Sequence, residues 1–446
     1  MGGDAGQQEA AVLGHGLAGA PARYPWFDDW AAPEGDALHD LTSDVAARLD
    51  RDEEERGLRQ RQRRARVETE RELAIGVICA NLAHLVLDAS LPARRAVLLG
   101  KTPFPPKRYR SPASGRLRTA LLDQMAGLGL LDLQTSRVWR EASNFGPTAA
   151  FRDLCRARSV TLQDIGRLPK EETIVAKLRR DPKRPTPPKL LDYPETLETG
   201  EMRDLVARLN LQLAQADIRF IDDGEGPVNA YDRHMRRLFN GDPSNPLEGN
   251  GRLFGGFWQN LKSRRRGSIR VDGEELVVVD YSSMFARLAY ARMGVQPPEG
   301  DLYAVPGLEG HREAVKKLVS AFLFDRSNRR PSWPDSPGMT PPAGISVAQA
   351  RAAILAHHPM LKQCFGCCLG HSLMRQESDI IVTVLRRLME ENVVGLNLYD
   401  GVLAPASTAD FVKQTMTQVS LEMTGMMIPA TVKSTTPTPQ ANPAPR

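Results

Sequence analysis

Two stretches of this chain place an acidic residue where the apolar pattern leaves little water. In residues 275–294, "ELVVVDYSSMFARLAYARMG", an apolar run predicts a strand that ends on Asp280, and an amphipathic helix follows directly. In residues 393–407, "VVGLNLYDGVLAPAS", two short apolar runs flank an Asp-Gly pair, which predicts a hairpin with Asp400 at its tip. A carboxylate beside a hydrophobic sheet is costly unless a cation or a hydrogen-bond donor meets it. Asp280 as a helix N-cap and Asp400 as a plain turn residue are the simpler alternatives.

Elsewhere the pattern is mainly helical in the first half. Residues 1–40, rich in Gly, Ala and Asp, read as a disordered tail. A helical pattern runs from Thr42 to about Asp88, charged at first and apolar in "LAIGVICANLAHLVL"; one long helix and a helix pair both fit. "SPASGRLRTALLDQMAGLGLLDLQTSRVWRE" predicts a Ser-capped helix with Leu117, Leu121, Leu122 and Met125 on one face, then short strands. That order suits a winged helix, and equally a purely structural domain. Residues 168–195 predict a linker dense in Pro, Lys and Arg, and a helix is expected over about 201–216. The chain thus divides into a tail (1–40), a mainly helical basic domain (41–167), the linker, a core mixing strands and helices (196–434) and a second tail (435–446).

Composition narrows the class. Hydrophobic residues make up 41% and charged residues 25%, as in a soluble globular protein, and no apolar run approaches a membrane helix. The N-terminal residues lack a secretory pattern, and five cysteines, an odd number, suit a reducing cytoplasm without a disulfide framework. "HHPMLKQCFGCCLGH" is not read as a zinc site, because Cys364, Cys368 and His371 share a helical face with Leu361 and no second ligand pair has finger spacing. Net charge is only +5, but basic clusters recur at 59–71, 105–110, 177–184 and 262–270. They suit a polyanion such as nucleic acid, or are simply solvated faces.

If the strands of Asp280 and Asp400 are neighbours in one sheet, the two carboxylates can hold a pair of divalent cations, the arrangement that nucleotidyl transfer uses. Hard oxygen ligands favour Mg²⁺, with Mn²⁺ as a substitute.

With their surroundings, these stretches resemble the core of family A DNA polymerases, the bacterial polymerase I type. Four blocks match in order, over roughly residues 232–427. The first holds Gly251-Arg252-Leu253, Gln259-Asn260, Ile269-Arg270, Asp280-Tyr281-Ser282 and then Arg287. The second, "HREAVKKLVSAFLF", has Arg312, Lys316 and Phe324 at the spacing of the family's fingers helix. The third, "RQESDIIVTVLRRLMEE", places Gln376 as the family's template-touching glutamine. The fourth is "LYDGVLAP" around Asp400.

The resemblance implies an α+β fold: a palm of antiparallel sheet backed by helices, with reduced fingers, beside the helical basic part and its winged-helix candidate. It implies a template-directed DNA polymerase serving DNA replication, with primer-template and nucleoside triphosphates as partners. Asp280 and Asp400 would be catalytic and hold two Mg²⁺. Arg312, Lys316, Phe324, Phe285 and Tyr281 would bind the nucleotide, and Arg252, Gln259, Asn260, Arg270 and Gln376 the nucleic acid. The departures are Tyr399 for the family's histidine, Gly401 for its glutamate, and Phe285 where it has a glutamate five residues after the first aspartate. "DYSSMF" is also similar to the first motif of family B polymerases and reverse transcriptases, which carry an aromatic at that offset and exclude the ribose 2′-hydroxyl with it. A non-catalytic nucleic-acid binder on an altered palm, and a regulator acting through a winged helix, are the two rival classes.

Overall fold

In the computed structural model of the chain, residues 24–58, 61–99, 105–111, 113, 115–136, 141–179, 189–336 and 339–435 are described. They fall into two compact units, one covering 1–173, 177–192 and 222–233, the other 174–176, 193–221 and 234–446. Among the described residues no helix is long and apolar enough to cross a membrane.

The first unit runs β1 (Ala31–Pro33), α1 (Asp36–Glu55), α2 (Ala65–Leu87), β2 (Arg95–Val97), α3 (Arg116–Gly127), β3 (Leu131–Gln134), β4 (Ser143–Pro147), α4 (Ala149–Ala157) and β5 (Ile165–Arg167). The apolar positions Leu38, Leu41, Val45 and Leu49 recur every three or four residues and form the inner stripe of α1. α2 is buried almost all round from Ala74 to Ala83, which is why that stretch reads as continuous core. Both pack with Phe145 and Phe151 in one cluster. The helical pattern after Thr42 therefore resolves into a pair, separated near Gly57, whose φ of +63° favours a residue without a side chain. α3 leads into the antiparallel β3–β4 pair, with β2 on the other edge of β4.

Four expectations need correction here. The expected disordered tail ends too late: β1 pairs with β5 inside residues 24–40, and Phe27 and Trp30 are buried. Large aromatics carry enough apolar surface to order a Gly/Ala-rich segment; residues 1–23 lie outside the described residues. α3 begins at Gly115 with no side-chain cap, and the Ser111 hydroxyl instead donates to the Asp29 carbonyl. The linker contains a strand, β6 (Ile174–Leu178), because Ile174, Val175 and Ala176 are buried; residues 180–188 lie outside the described residues. The second expected tail keeps Thr435 buried and bonded to the Leu276 carbonyl at 2.6 Å, and the rest of it is not described.

The second unit adds α5 (Leu197–Gln215), β7 (Ile218–Phe220), β8 (Arg236–Gly241), β9 (Gly249–Phe254), α6 (Phe257–Asn260), β10 (Ile269–Val271), β11 (Glu274–Tyr281), α7 (Met284–Arg292), α8 (Arg312–Phe324), α9 (Val347–His357), α10 (Gly370–Glu390), β12 (Leu396–Leu398), β13 (Gly401–Pro405), α11 (Ala409–Thr424) and β14 (Ala430–Ser434). One sheet has the order β12-β13-β11-β10-β7, with β14 also on β11; another is β6-β8-β9. The mixed α/β architecture rests on antiparallel pairing, and β11 is bonded along both edges.

Within the basic cluster at 59–71, Arg63 and Arg71 are paired with acidic residues of α1 and α2. Arg63 lies 3.1 Å from both Asp50 and Glu68, and the buried Arg71 lies 3.3 Å from Asp50 and 3.4 Å from Glu53. Charge counting along the chain cannot see these partners. Because α1 is core rather than a detachable basic arm, Leu41→Ala should lower the stability of the first unit by about 2–5 kcal/mol in urea unfolding; an unchanged midpoint would show that α1 does not pack as described.

Candidate active site

Side chains alternate along β11, and its two faces have different fates. Tyr281 is buried and its hydroxyl donates to the Met416 carbonyl of α11. Burial pushes its phenol above the usual range. This corrects the expected nucleotide contact: the ring belongs to the sheet–helix core. Asp280 points the other way and is partly exposed. It is not a helix cap, since Ser283 occupies the N-cap of α7 with φ +55°.

Asp280 pairs with Gly401 across β11–β13, and the Tyr281 N–H donates to the Asp400 carbonyl at 3.3 Å. Asp280 therefore ends β11 beside the turn that carries Asp400 into the adjacent strand β13. The hairpin turn is one residue earlier than the Asp-Gly pattern predicts: Leu398 pairs with Gly401, so Tyr399 and Asp400 form the turn. Tyr399 takes a left-handed φ of +54°, a strained conformation for a bulky residue. Gly401 serves close approach instead. A Cβ there would lie 3.0 Å from both Asp280 Oδ1 and the Val279 carbonyl oxygen, so the glutamate of the resembled family does not fit here without movement.

A third carboxylate completes the cluster. Glu377 of α10 is fully buried, and its Oε1 accepts from Arg252 Nε of β9 at 2.7 Å. Its Oε2 meets no donor among the described residues. Burial raises the Glu377 carboxyl, with Arg252 opposing. Burial also raises Asp400, and the negative charges of Asp280 and Glu377 add to it, bringing its pKa to about 7. Three carboxylates crowded in a poorly solvated place are what a divalent cation relieves. Among the described residues no three His, Cys, Asp or Glu side chains form a ready-made metal cage. Two carboxylates with open positions still fit Mg²⁺, which commonly takes one or two protein carboxylates and completes its shell with water and phosphate.

The aromatic residues line up beside this cluster. The Arg252 guanidinium sits 5.1 Å from the centroid of Tyr399 and 6.0 Å from that of Phe285. Phe285 meets Phe324 at 5.9 Å, and Phe324 meets His371 at 5.3 Å. Phe285 is half-buried and faces Arg252 and α8, unlike its enclosed neighbours Met284, Leu288 and Ala289. Arg312 and Lys316 are exposed on α8. Arg312 donates to Asp301 and Glu313, at 3.2 and 2.9 Å, and lies over Tyr303. Burial alone would raise Asp301, but the Arg312 bond and the Tyr303 N–H hold it below its usual range. Burial raises the Tyr303 phenol, and the Asp400 charge adds to this.

The other expected nucleic-acid residues are placed differently. The Gln259 amide donates to the Leu253 carbonyl at 3.0 Å and accepts from the Gly255 N–H at 3.1 Å, so it braces β9 against α6. Arg270 donates to the carbonyls of Gly267 and Ile269, at 2.7 and 2.9 Å, and to Glu275 at 3.0 Å, which makes it a local clamp. Asn260 is exposed. Gln376 lines an open pocket of about 320 Å³ with Arg292, Arg375, Asp379 and Met423, while its neighbour Glu377 faces Arg252. One step along a helix turns a side chain by about 100°, so the block marks the right turn of α10 but the adjacent residue reaches the site. Glu377, Tyr303 and Lys433 went unrecognised in the sequence; only Glu377, an acidic residue inside a matched block, carried a usable signal.

The Asp400 shift has a defined pH consequence. Its folded pKa, about 7, lies above the value near 3.8 for the free side chain. The folded state therefore holds the proton more tightly, and stability falls as pH rises between these values. Without divalent cations, Asp400→Asn should stabilise the protein by about 1–3 kcal/mol near pH 8, discounted for partial solvent contact, and by almost nothing near pH 4. Chemical denaturation at the two pH values checks this; an equal effect at both would rule out a buried ionisation cost.

No protein-family model and no curated protein matches this chain. Among solved structures it is similar to the POL domain of Pol1 from M. smegmatis in complex with DNA primer-template and dNTP, at 12% sequence identity and a TM-score of 0.30, over 91% of this chain and 67% of that one. Such a score lies below that of a shared fold, so the functional reading rests on the residues themselves.

Proposed function

We propose that the chain is a template-directed nucleotidyltransferase of the DNA polymerase type, built on a palm-like sheet. The observation that carries this is the gathering of Asp280, on β11, and Asp400, in the turn into the adjacent β13, with Glu377 nearby, where burial and like charge raise the Asp400 carboxyl to about 7. Two Mg²⁺ held by Asp280 and Asp400 would polarise the attacking 3′-hydroxyl and the phosphate oxygens on either side of the bond exchanged.

The chain's own residues do the rest. Arg312 and Lys316, one helical turn apart, present two cations to a triphosphate; Arg312 exchanges or shares its bonds to Asp301 and Glu313 when phosphate arrives. Phe324 and Phe285 form an apolar wall beside the carboxylates. Arg252, held by Glu377 and by the Tyr399 ring, would bring a positive charge to the primer strand beside the carboxylates. Asn260 and the exposed Lys262 are left for phosphate contacts. In the first unit, α3 and the β3–β4 hairpin form a winged-helix candidate that would grip duplex, although Arg118 of α3 turns inward to Asp29 and the Leu98 carbonyl.

A second reading, a non-catalytic nucleic-acid binder, is favoured by one observation: the Lys433 ammonium stands on Asp280 at 2.9 Å. Primer extension with Mg²⁺ separates the two. The catalytic reading expects incorporation that falls at least about a hundred-fold in Asp280→Asn and in Asp400→Asn, in proportion to the transition-state charge stabilisation lost. No extension by folded wild type on DNA or RNA templates would overturn the catalytic reading and leave the non-catalytic binder and the winged-helix regulator.

Phe285 gives a sharper test. If its ring lies beneath the incoming sugar, deoxynucleotides should be preferred, and Phe285→Ala should admit ribonucleotides because the penalty is steric. Single-nucleotide incorporation with each sugar measures this; an unchanged ratio in an active mutant would remove the gate.

A further inference from the structure

The C-terminal strand β14 brings a basic side chain to Asp280. In the β11–β14 ladder, Val278 faces Lys433 and Asp280 faces Thr431. Directly opposed residues share a sheet face, as do positions two apart, so Lys433 lies diagonal to Asp280 on the carboxylate side. A four-carbon stem spans that diagonal, and the ammonium donates to Asp280 Oδ2 at 2.9 Å. The other oxygen, Oδ1, lies over Gly401. The second nearby cation, Arg252, is held by Glu377. Thus each of the two inner carboxylates Asp280 and Glu377 already has a basic partner, while Asp400 has none at bonding distance in the described residues and bears the raised pKa.

We propose that Lys433 is the resident counter-cation of Asp280, holding one of its oxygens in competition with a divalent ion. An ammonium has donors only and cannot itself ligate a metal. An ion approaching Asp280 must displace it from Oδ2 or bind against its charge. Displacement is feasible because the Lys433 side chain is 59% exposed and its stem is flexible. Lys433 therefore sets how tightly the site takes a cation before substrate is present. It acts as a positioning residue through Asp280 rather than on the reacting atoms. This inference rests on the reading that Asp280 and Asp400 bind a divalent cation.

The experiment is a Mn²⁺ titration of the full chain without nucleotide, with free Mn²⁺ read by its EPR signal. Lys433→Met should bind Mn²⁺ roughly three- to thirty-fold more tightly than wild type, from removal of one competing positive charge a few ångströms away. Lys433→Arg, which keeps the charge, should stay within about three-fold of wild type, a spread of less than one kcal/mol by the usual conversion. The strand position is exposed, so neither substitution disturbs the core. Equal affinity in wild type and Lys433→Met, with binding abolished by Asp280→Asn, would overturn the role of Lys433 while the cation site stands. No Mn²⁺ binding by any of these proteins would overturn both the cation site and the role of Lys433. Primer extension plays no part in this readout, so loss of the polymerase reading and loss of this inference remain distinguishable.

Discussion

β11 is bonded to β13 on one edge and to β14 and β10 on the other, and that double pairing fixes which of its side chains meet the helices and which meet the carboxylates. A slip of one residue would bring Tyr281 to the charged face and bury Asp280 against α11. The register is held by Leu276 and Val279, both buried, and by the bond from the Tyr281 hydroxyl to α11. The chemistry of the second unit thus depends on ordinary sheet packing several residues away from any charge.

Charge balance is the second constraint. Glu377 is enclosed with one oxygen bonded to Arg252, an arrangement in which removing the arginine would leave a buried ion without a partner. Arg252 in turn is steadied by Tyr399, whose left-handed backbone aims the ring at it. The strained turn, the small residue at Gly401 and the buried pair are coupled choices. Tyr399 and Gly401 depart from the pattern of the resembled family, and each has a neighbour that fits it: the Arg252 guanidinium for the ring, and the Asp280 carboxylate for the missing side chain.

Much of this architecture was legible in the sequence where the period is strong. The apolar run before Asp280, the two runs around Asp400 and the amphipathic α1 all announce themselves. What the period cannot give is the partner of a face. Tyr281 looked like a ligand contact because nothing in the sequence says that α11 covers its side of the strand. Gln376 and Glu377 are adjacent letters, and only the orientation of α10 against β9 selects between them. Gln259 and Arg270 are polar residues in a matched block, yet backbone carbonyls meet both. Lys433 sits in "ATVKS", too short and polar to stand out. Trp30 and Phe27 were passed over in a Gly/Ala-rich stretch, and the arginines at 63 and 71 looked basic because their acidic partners lie elsewhere in the helix pair.

The pairings that assemble the carboxylate cluster also join distant parts of the chain. Arg252 and Glu377 are separated by 125 residues, and Asp280 and Lys433 by 153. Contacts of that separation carry a large loop-closure cost and form late, after local helices and hairpins are in place. That cost falls on the assembly of the carboxylate cluster, because each of these two ion pairs closes a loop of more than a hundred residues.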